Sequence, residues 1–345
     1  MISSIWQPST LPKAGRRGLI YFICGNPGCI GFYADFLEAL RGMLDSSETH
    51  TAYDIYGRNL RGFSDGEHEP FAPGSGSEPW DVDGQVEAVT ADVVARAGGR
   101  DREGDEGGEA YDLVILTGHS IGAYIAVEIF DRHLRNPERA PHLRLRHGFL
   151  LFPTIASIGL SPSGRHMQLL RRVPTLEALA PVYARLLLGL VPGSALRWLL
   201  ETVMGFSARA ADVAAEWLKG RDGVRQALHM GISELDHVCE DGWDEELWGA
   251  ATAEDVVLDG KDGGRDALPP RFFLFYGKSD HWVADHVRDE FVRRRMAHGE
   301  RGGRTSIMVD EGNLPHAFCV TEHNSWVVAK RVHGWLEEIE GGMKN

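Results

Sequence analysis

The chain has 345 residues, of which 43% are hydrophobic and 25% are charged, and this is enough to bury a core without disulfides or metals. Such a composition excludes a disordered chain and a polytopic membrane protein. Lysine and arginine number 36 against 50 aspartates and glutamates, so the net charge of −14 repels phosphate backbones and disfavours nucleic acid as a partner.

The first predicted elements form a strand, a turn and a helix. An apolar strand from Gly18 to Cys24 leads through the glycine-rich turn at 25–28 into a helix from Phe32 to Leu44. Residues 46–82 are turn-rich and polar, and the stretch from Glu67 to Pro79 is predicted to be a loop. A further helix is predicted from Val82 to Ala97.

A second unit of the same kind follows. The charged, glycine-rich stretch at 98–109 predicts a solvated insertion without chemistry. A buried strand is predicted from Asp112 to Thr117, followed by a tight turn and a helix from Ala123 to about Leu134. Another apolar strand is predicted from His147 to Phe152.

The second half of the chain changes pattern. Residues 153–266 contain helical stretches and no clear strand, whereas strands are predicted at Arg271–Tyr276 and Thr305–Val309 and a helix at Trp326–Ile339. The alternation predicts the α/β class, with a mostly parallel sheet covered by helices on both faces and a helical cap inserted between late strands. The predicted domains are a first core segment at 1–152, the cap at 153–268 and a second core segment at 269–345.

The pentapeptide Gly118-His119-Ser120-Ile121-Gly122 matches G-x-S-x-G between a predicted strand and a predicted helix. A very tight turn there holds the serine in a strained conformation, and Gly118 and Gly122 remove the Cβ atoms that would clash with it. We therefore predict Ser120 as a nucleophile. The Ile121 N–H, at the helix N-terminus, is a predicted donor to an oxyanion.

Acyl transfer needs a second oxyanion donor, which usually comes from the loop after an early strand. In this chain that loop is CGNPG at 24–28. Pro27 has no N–H, so we predict the Asn26 N–H as the donor. The alternative is a structural turn in which the Asn26 side chain caps a helix.

A serine nucleophile also needs a histidine as base and a carboxylate that orients the histidine. In the predicted α/β topology the carboxylate follows the serine along the chain, and the histidine comes last. Asp280 comes directly after the Arg271–Tyr276 strand and is preferred to Asp285, which lies in the next helical pattern. His316 lies on the loop after the last strand and is the predicted general base. The less well placed histidines are His119, His281 and His323.

Three motifs together resemble the lipid droplet-associated serine hydrolase family. They are the CGNPG loop, the GHSIG turn and, most specifically, LFPTI at 151–155 followed by SPSG at 161–164. The similarity extends from about Gly18 to Trp335. It implies an α/β-hydrolase fold, a triad of Ser120, Asp280 and His316, neutral-lipid turnover, and a place on lipid droplets and the endoplasmic reticulum. Sterol esters and acylglycerols are both candidate substrates.

An apolar segment from Pro181 to Phe206 has two interpretations. Its uncharged run, Leu186 to Leu196, is 11 residues long and is broken at Pro192-Gly193, whereas a spanning helix needs about 20. Either two short arms enter one lipid leaflet, with Arg185 and Arg197 at its interface, or the segment is a buried pair of cap helices. The resemblance favours a droplet anchor. The predicted lipid-facing residues are Leu186, Leu187, Leu190 and Trp198.

The leading hypothesis is therefore a serine ester hydrolase that acts on lipid esters at droplets and needs no metal or organic cofactor. A droplet scaffold with weak or vestigial activity, and a soluble hydrolase or acyltransferase of small esters or thioesters, are the alternatives. The four scattered cysteines predict free thiols in a reducing compartment. The N-terminal residues contain no apolar run of signal-peptide length, so no secretory leader is expected.

Overall fold

A computed structural model describes most of the chain. The described residues are 1–11, 15–72, 77–99, 109–173, 175–248, 270–299 and 305–342. Most of the insertion predicted at 98–109, and the part of the predicted cap from 249 to 268, lie outside them.

A seven-stranded sheet forms the centre of this described part. Its strands are β1 (Ser4–Gln7), β2 (Arg16–Ile23), β3 (Thr51–Arg58), β4 (Leu113–His119), β5 (Leu145–Leu151), β6 (Arg271–Tyr276) and β7 (Ser306–Val309). In space they follow the order β1-β3-β2-β4-β5-β6-β7. Only the β1–β3 pair is antiparallel, so the predicted mostly parallel sheet is confirmed.

Helices cover both faces of this sheet. They are α1 (Ala34–Asp45), α2 (Val82–Ala97), α3 (Ile121–Arg135), α4 (Pro162–Arg171), α5 (Leu176–Leu190), α6 (Gly193–Trp198), α7 (Ala208–Lys219), α8 (Gly223–His237), α9 (Asp285–Gly299) and α10 (Glu322–Gly342). α1 packs against α10, and α2 packs against α3. Because both faces are covered, the central strands are near-continuous apolar runs, and Leu19 to Ile23 are at most 1% exposed.

Neither β1 nor β3 was predicted, and β3 lies in the turn-rich, polar stretch at 46–82. Asp54 interrupts the apolar pattern of β3, which hides the strand in the sequence. In the structure, Asp54 is buried and accepts hydrogen bonds from the Tyr111 hydroxyl at 2.6 Å and the Ser9 N–H at 2.8 Å. The tertiary structure thus satisfies a carboxylate that interrupts the apolar pattern of a buried strand.

The described residues between β5 and β6, up to position 248, form helices and no strand. In this block α8 packs against α4, α5 and α7, and also contacts α2 of the core. It therefore connects the exposed helices of the block to the layer that covers the sheet. All four cysteines are unpaired, as predicted, and only Cys239 is exposed.

Candidate active site

The turn between β4 and α3 holds a strained serine. Ser120 has φ 55° and ψ −124°, a backbone conformation with positive φ that residues other than glycine rarely adopt. A Cβ atom on Gly118 would lie 2.2 Å from the Gly122 carbonyl oxygen, and one on Gly122 would lie 2.4 Å from the Ile23 carbonyl oxygen. Only glycine fits at both positions, because Gly118 packs on the backbone of the first turn of α3 and Gly122 packs on the backbone at the end of β2.

The structure brings Ser120, Asp280 and His316 together, although they follow three different strands. His316 Nε2 lies 2.9 Å from Ser120 Oγ, and His316 Nδ1 lies 2.6 Å from Asp280 Oδ2. All three side chains are less than a tenth exposed. The imidazole is thus in reach of the hydroxyl proton and is oriented from its far side by a carboxylate.

Asp280 is held in its ionised form. Its Oδ1 accepts the Trp282 N–H at 2.8 Å while its Oδ2 faces His316. Burial by itself raises the pKa of this carboxyl, but the hydrogen bond and electrostatic attraction of His316 and the hydrogen bond from the Trp282 N–H outweigh it, so the pKa lies below its ordinary value. A carboxylate that stays charged at neutral pH stabilises an imidazolium beside it.

The competing residues lie elsewhere. Asp285 begins α9 and pairs with Arg288 at 3.0 Å. The ring centroid of His281 is 5.9 Å from that of His316, and His323 lies on α10. His119 faces away from the nucleophile and contacts the His316 backbone carbonyl instead.

The loop after β2 runs beside the nucleophile. A Cβ atom on Gly25 would lie 3.1 Å from Ser120 Cβ. The Gly25 N–H donates to the Tyr33 hydroxyl at 2.9 Å, and Pro27 has none, which leaves the Asn26 N–H as a donor of this loop. On the other side of Ser120, Ile121 is the first residue of α3, where N–H groups have no partner within the helix.

Comparison with known proteins identifies the family. The sequence profile described as lipid-droplet associated hydrolase matches residues 16–319. The chain belongs to this family. Curated relatives named lipid droplet-associated hydrolase include one from Rattus norvegicus, 24% identical over 88% of this chain and 80% of its own length. Another, from Dictyostelium discoideum, is 24% identical over 92% of this chain and 86% of its own length.

Solved structures confirm the α/β-hydrolase fold of this family member. A haloalkane dehalogenase loop variant from Bradyrhizobium elkanii aligns with a TM-score of 0.55, at 12% identity, over 99% of this chain and 95% of that one. A peroxisomal alpha-beta-hydrolase from Saccharomyces cerevisiae aligns with a TM-score of 0.53, at 13% identity, over 98% and 88% of the two chains. The chain therefore belongs to the lipid-droplet associated hydrolase family and has the α/β-hydrolase fold.

The Asn26 side chain fastens the loop after β2 to α8. Its Nδ2 donates to the Ala227 carbonyl at 2.9 Å and to Glu234 Oε1 at 3.0 Å, so it does not cap the next helix. Burial raises the pKa of Glu234 to about 7, although the hydrogen bond from Asn26 opposes the rise. Sequence reasoning missed Glu234, because it lies 208 residues away and no spacing rule connects it to the loop.

The buried Glu234 predicts a pH-dependent stability. The folded chain holds this proton up to a pKa of about 7, whereas the ordinary value is 4.5, so the folded state binds more protons between these pH values. The stabilisation that protonated Glu234 contributes is fully present below pH 4.5 and is lost as the pH rises through 7. The free energy of unfolding falls by roughly 3 kcal/mol over this range. Urea unfolding from about pH 5 to about pH 8 measures this loss.

The Glu234→Gln variant keeps an acceptor for Asn26 but carries no charge, so we expect it to lack this pH-dependent loss. Glu87→Gln, on the exposed face of α2, is the matched control and should follow the wild type. Parallel stability curves for wild type and Glu234→Gln would contradict the prediction.

One cluster of possible metal ligands occurs among the described residues. Ligating atoms of Asp65, His68 and Asp222 lie within 4.8 Å of one another. The Arg221 guanidinium donates to Asp222 at 2.6 Å, and the Arg221 N–H donates to Asp65 at 2.5 Å. These carboxylates therefore already join the loop after β3 to the turn before α8.

The predicted lipid-facing residues lie on an exposed apolar surface, which we define as the outer side of residues 179–204. Leu190 is 82% exposed, and Leu186, Leu187 and Trp198 are each more than half exposed. No single described helix has the length and hydropathy to cross a membrane. Leu179–Leu190 and Gly193–Val203 reach that threshold as a pair, and they are bent by 101°.

Proposed function

We propose that this hydrolase cleaves lipid esters, with Ser120 as nucleophile, His316 as general base and acid, and Asp280 as the orienting carboxylate. The observation that carries the proposal is the hydrogen-bonded series of 2.9 Å and 2.6 Å that joins the three side chains at a strained turn. A hydroxyl becomes an effective nucleophile when an oriented imidazole accepts its proton.

The reaction follows from these positions. Ser120 Oγ attacks the ester carbonyl while its proton passes to His316 Nε2, and Asp280 stabilises the resulting imidazolium. The N–H groups of Ile121 and Asn26 bind the tetrahedral oxyanion, each contributing roughly 3–4 kcal/mol to the transition state. His316 then protonates the leaving alcohol. In the second half of the reaction, a water molecule attacks the acyl group while its proton passes to His316. His316 returns this proton to Ser120 Oγ as the fatty acid leaves.

Sterol esters and acylglycerols are the proposed substrate class. The relatives named lipid droplet-associated hydrolase and the apolar surface at 179–204 support it. The test presents phospholipid-coated emulsions of cholesteryl oleate or triolein to the purified protein and measures fatty-acid release. We expect release from at least one emulsion; turnover restricted to short soluble esters would contradict the lipid proposal.

We propose that the protein binds the monolayer of a lipid droplet. We also propose that residues 153–268 form a cap between core segments 1–152 and 269–345. Exposing several large apolar side chains on one surface is costly in water, and such patches mark interaction sites. A monolayer has hydrocarbon on one side only, which suits two short bent helices better than a span. A place on the endoplasmic reticulum stays a prediction.

Droplet binding predicts a specific mutational effect. Changing Leu187 and Leu190 together to glutamate places two charges on the apolar surface, so we expect most of the protein to be lost from droplets in a flotation assay. The same change at Leu134 and Met296, which are exposed on other helices, is the matched control and should leave flotation unchanged. Equal flotation of all three proteins would refute the anchor.

A droplet scaffold is the second candidate function, because the apolar surface does not depend on the catalytic residues. The two functions differ in what they require. Droplet lipid content that responds to the Leu187 and Leu190 double change but not to loss of the Ser120 hydroxyl would favour the scaffold.

A further inference from the structure

A buried hydrogen-bond series behind the nucleophile connects two loops of the candidate active site. The Gly25 N–H donates to the Tyr33 hydroxyl at 2.9 Å, and Tyr33 Oη lies 2.8 Å from His119 Nδ1. His119 Nε2 lies 2.9 Å from the His316 backbone carbonyl oxygen. The series therefore runs from the loop after β2 to the loop that carries the predicted base.

With a neutral His119 ring, hydrogen accounting gives one arrangement along this series. The His316 carbonyl can only accept, so His119 Nε2 must carry a hydrogen. The Tyr33 oxygen accepts from Gly25 and has one hydrogen to give, which goes to His119 Nδ1. His119 is then neutral and is protonated on Nε2. Burial and the neighbouring His316 lower the pKa of His119 to about 3, in agreement with this form.

Aromatic packing holds His119 in this position. Its ring lies edge-on to Phe318 at 5.1 Å and to Phe152 at 6.1 Å between centroids. Phe152, from the LFPTI motif, has φ 45°, a left-handed conformation that is strained for a bulky residue, and its ring also contacts the His316 ring. Phe152 of this motif thus packs against both imidazole rings.

We propose that His119 and Tyr33 are positioning residues that fix the distance between the base His316 and the oxyanion loop at Gly25 and Asn26. The inference rests on the proposed hydrolytic function. Neither residue touches the reacting atoms. Each acts through the backbone of another residue, so loss of the series misplaces the base relative to the oxyanion donors without changing how the ester binds.

The Tyr33→Phe variant tests this role, because it removes a single hydroxyl. We expect kcat for a p-nitrophenyl ester to fall by about 10- to 100-fold, with KM within about threefold, since misplacement of catalytic groups affects turnover before binding. Tyr21→Phe is the matched control: Tyr21 is equally buried, and its hydroxyl donates to Asp92 at 2.6 Å, away from the base. Equal losses of kcat in both variants would refute the inference.

Two His119 variants add a conservative rescue. A glutamine at this position offers one donor and one acceptor at a spacing similar to that of the imidazole, whereas leucine offers neither. His119→Gln should retain most of the wild-type kcat, and His119→Leu should lose it to the same degree as Tyr33→Phe. Similar activity of the glutamine and leucine variants would contradict a hydrogen-bonding role.

NMR of the wild-type protein labelled with ¹⁵N in histidine gives an independent readout. We expect His119 to remain neutral and protonated on Nε2 from about pH 5 to about pH 9. Titration near the ordinary value, or a proton on Nδ1, would overturn the inference even if the variants failed to fold. A folded wild-type protein without turnover would refute the hydrolytic function itself, whereas a fully active Tyr33→Phe variant would refute only the positioning role.

Discussion

The Ser120→Ala variant is expected to lose ester hydrolysis almost completely, by about 10⁶-fold in kcat if all turnover passes through an acyl-enzyme. The change removes only a small hydroxyl from a residue that is 9% exposed. The strained turn depends on Gly118 and Gly122 rather than on the serine side chain. Folding should therefore be unchanged. The measurements are fatty-acid release and covalent labelling by a fluorophosphonate, with the labelled residue identified by mass spectrometry.

The control for this variant is a serine outside the candidate site. Ser163 lies on α4, and its backbone N–H donates to the His281 carbonyl at 2.9 Å. Ser163→Ala keeps this backbone contact and removes only a hydroxyl, so it should keep both turnover and labelling. Labelling of the wild type at a residue other than Ser120, or hydrolysis by Ser120→Ala at a tenth of the normal rate or more, would refute the nucleophile assignment.

The Asp280→Asn variant is expected to lower kcat by about 10⁴-fold. An amide at this position stabilises no imidazolium, and its NH₂ group facing His316 Nδ1 favours the tautomer in which Nε2 carries the proton and cannot accept one from Ser120. In the wild type, the Asp280 carboxylate accepts from His316 at 2.6 Å and from the Trp282 N–H at 2.8 Å. The pH profile of kcat, measured with KM, separates this loss from weaker binding.

Asp285→Asn provides the matched control, because the same chemical change is made five residues away. Asp285 pairs with Arg288, which also donates to the carbonyls of Gly277 and Lys278 in the loop before Asp280. We expect at most a several-fold loss of kcat, since two backbone contacts still hold that guanidinium. A larger loss in Asp285→Asn than in Asp280→Asn would reverse the assignment of the acid.

Sequence patterning failed where a polar group was satisfied by distant partners. Asp54 lies in β3, and its acceptors are filled by Tyr111 and Ser9, which no local pattern connects to it. The same holds for the Asn26 side chain, which reaches α8 rather than the next helix. In both cases the free energy of burying a polar atom was recovered through a contact that only folding creates.

The sequence by itself determined the α/β class, the strand that precedes Ser120 and the short list of acids and bases, because apolar periodicity and turn chemistry are local properties. It also predicted Ser120 as the nucleophile, Asp280 as the acid and His316 as the base, since each follows a predicted strand in the expected chain order. Only the tertiary structure decided that Tyr33 and His119 connect the loop after β2 to the loop of His316, and that Glu234 bonds the Asn26 side chain. It also decided that the 179–204 surface is exposed. Burial and long-range hydrogen bonds depend on which helices pack together, and periodicity along the chain carries no record of that choice.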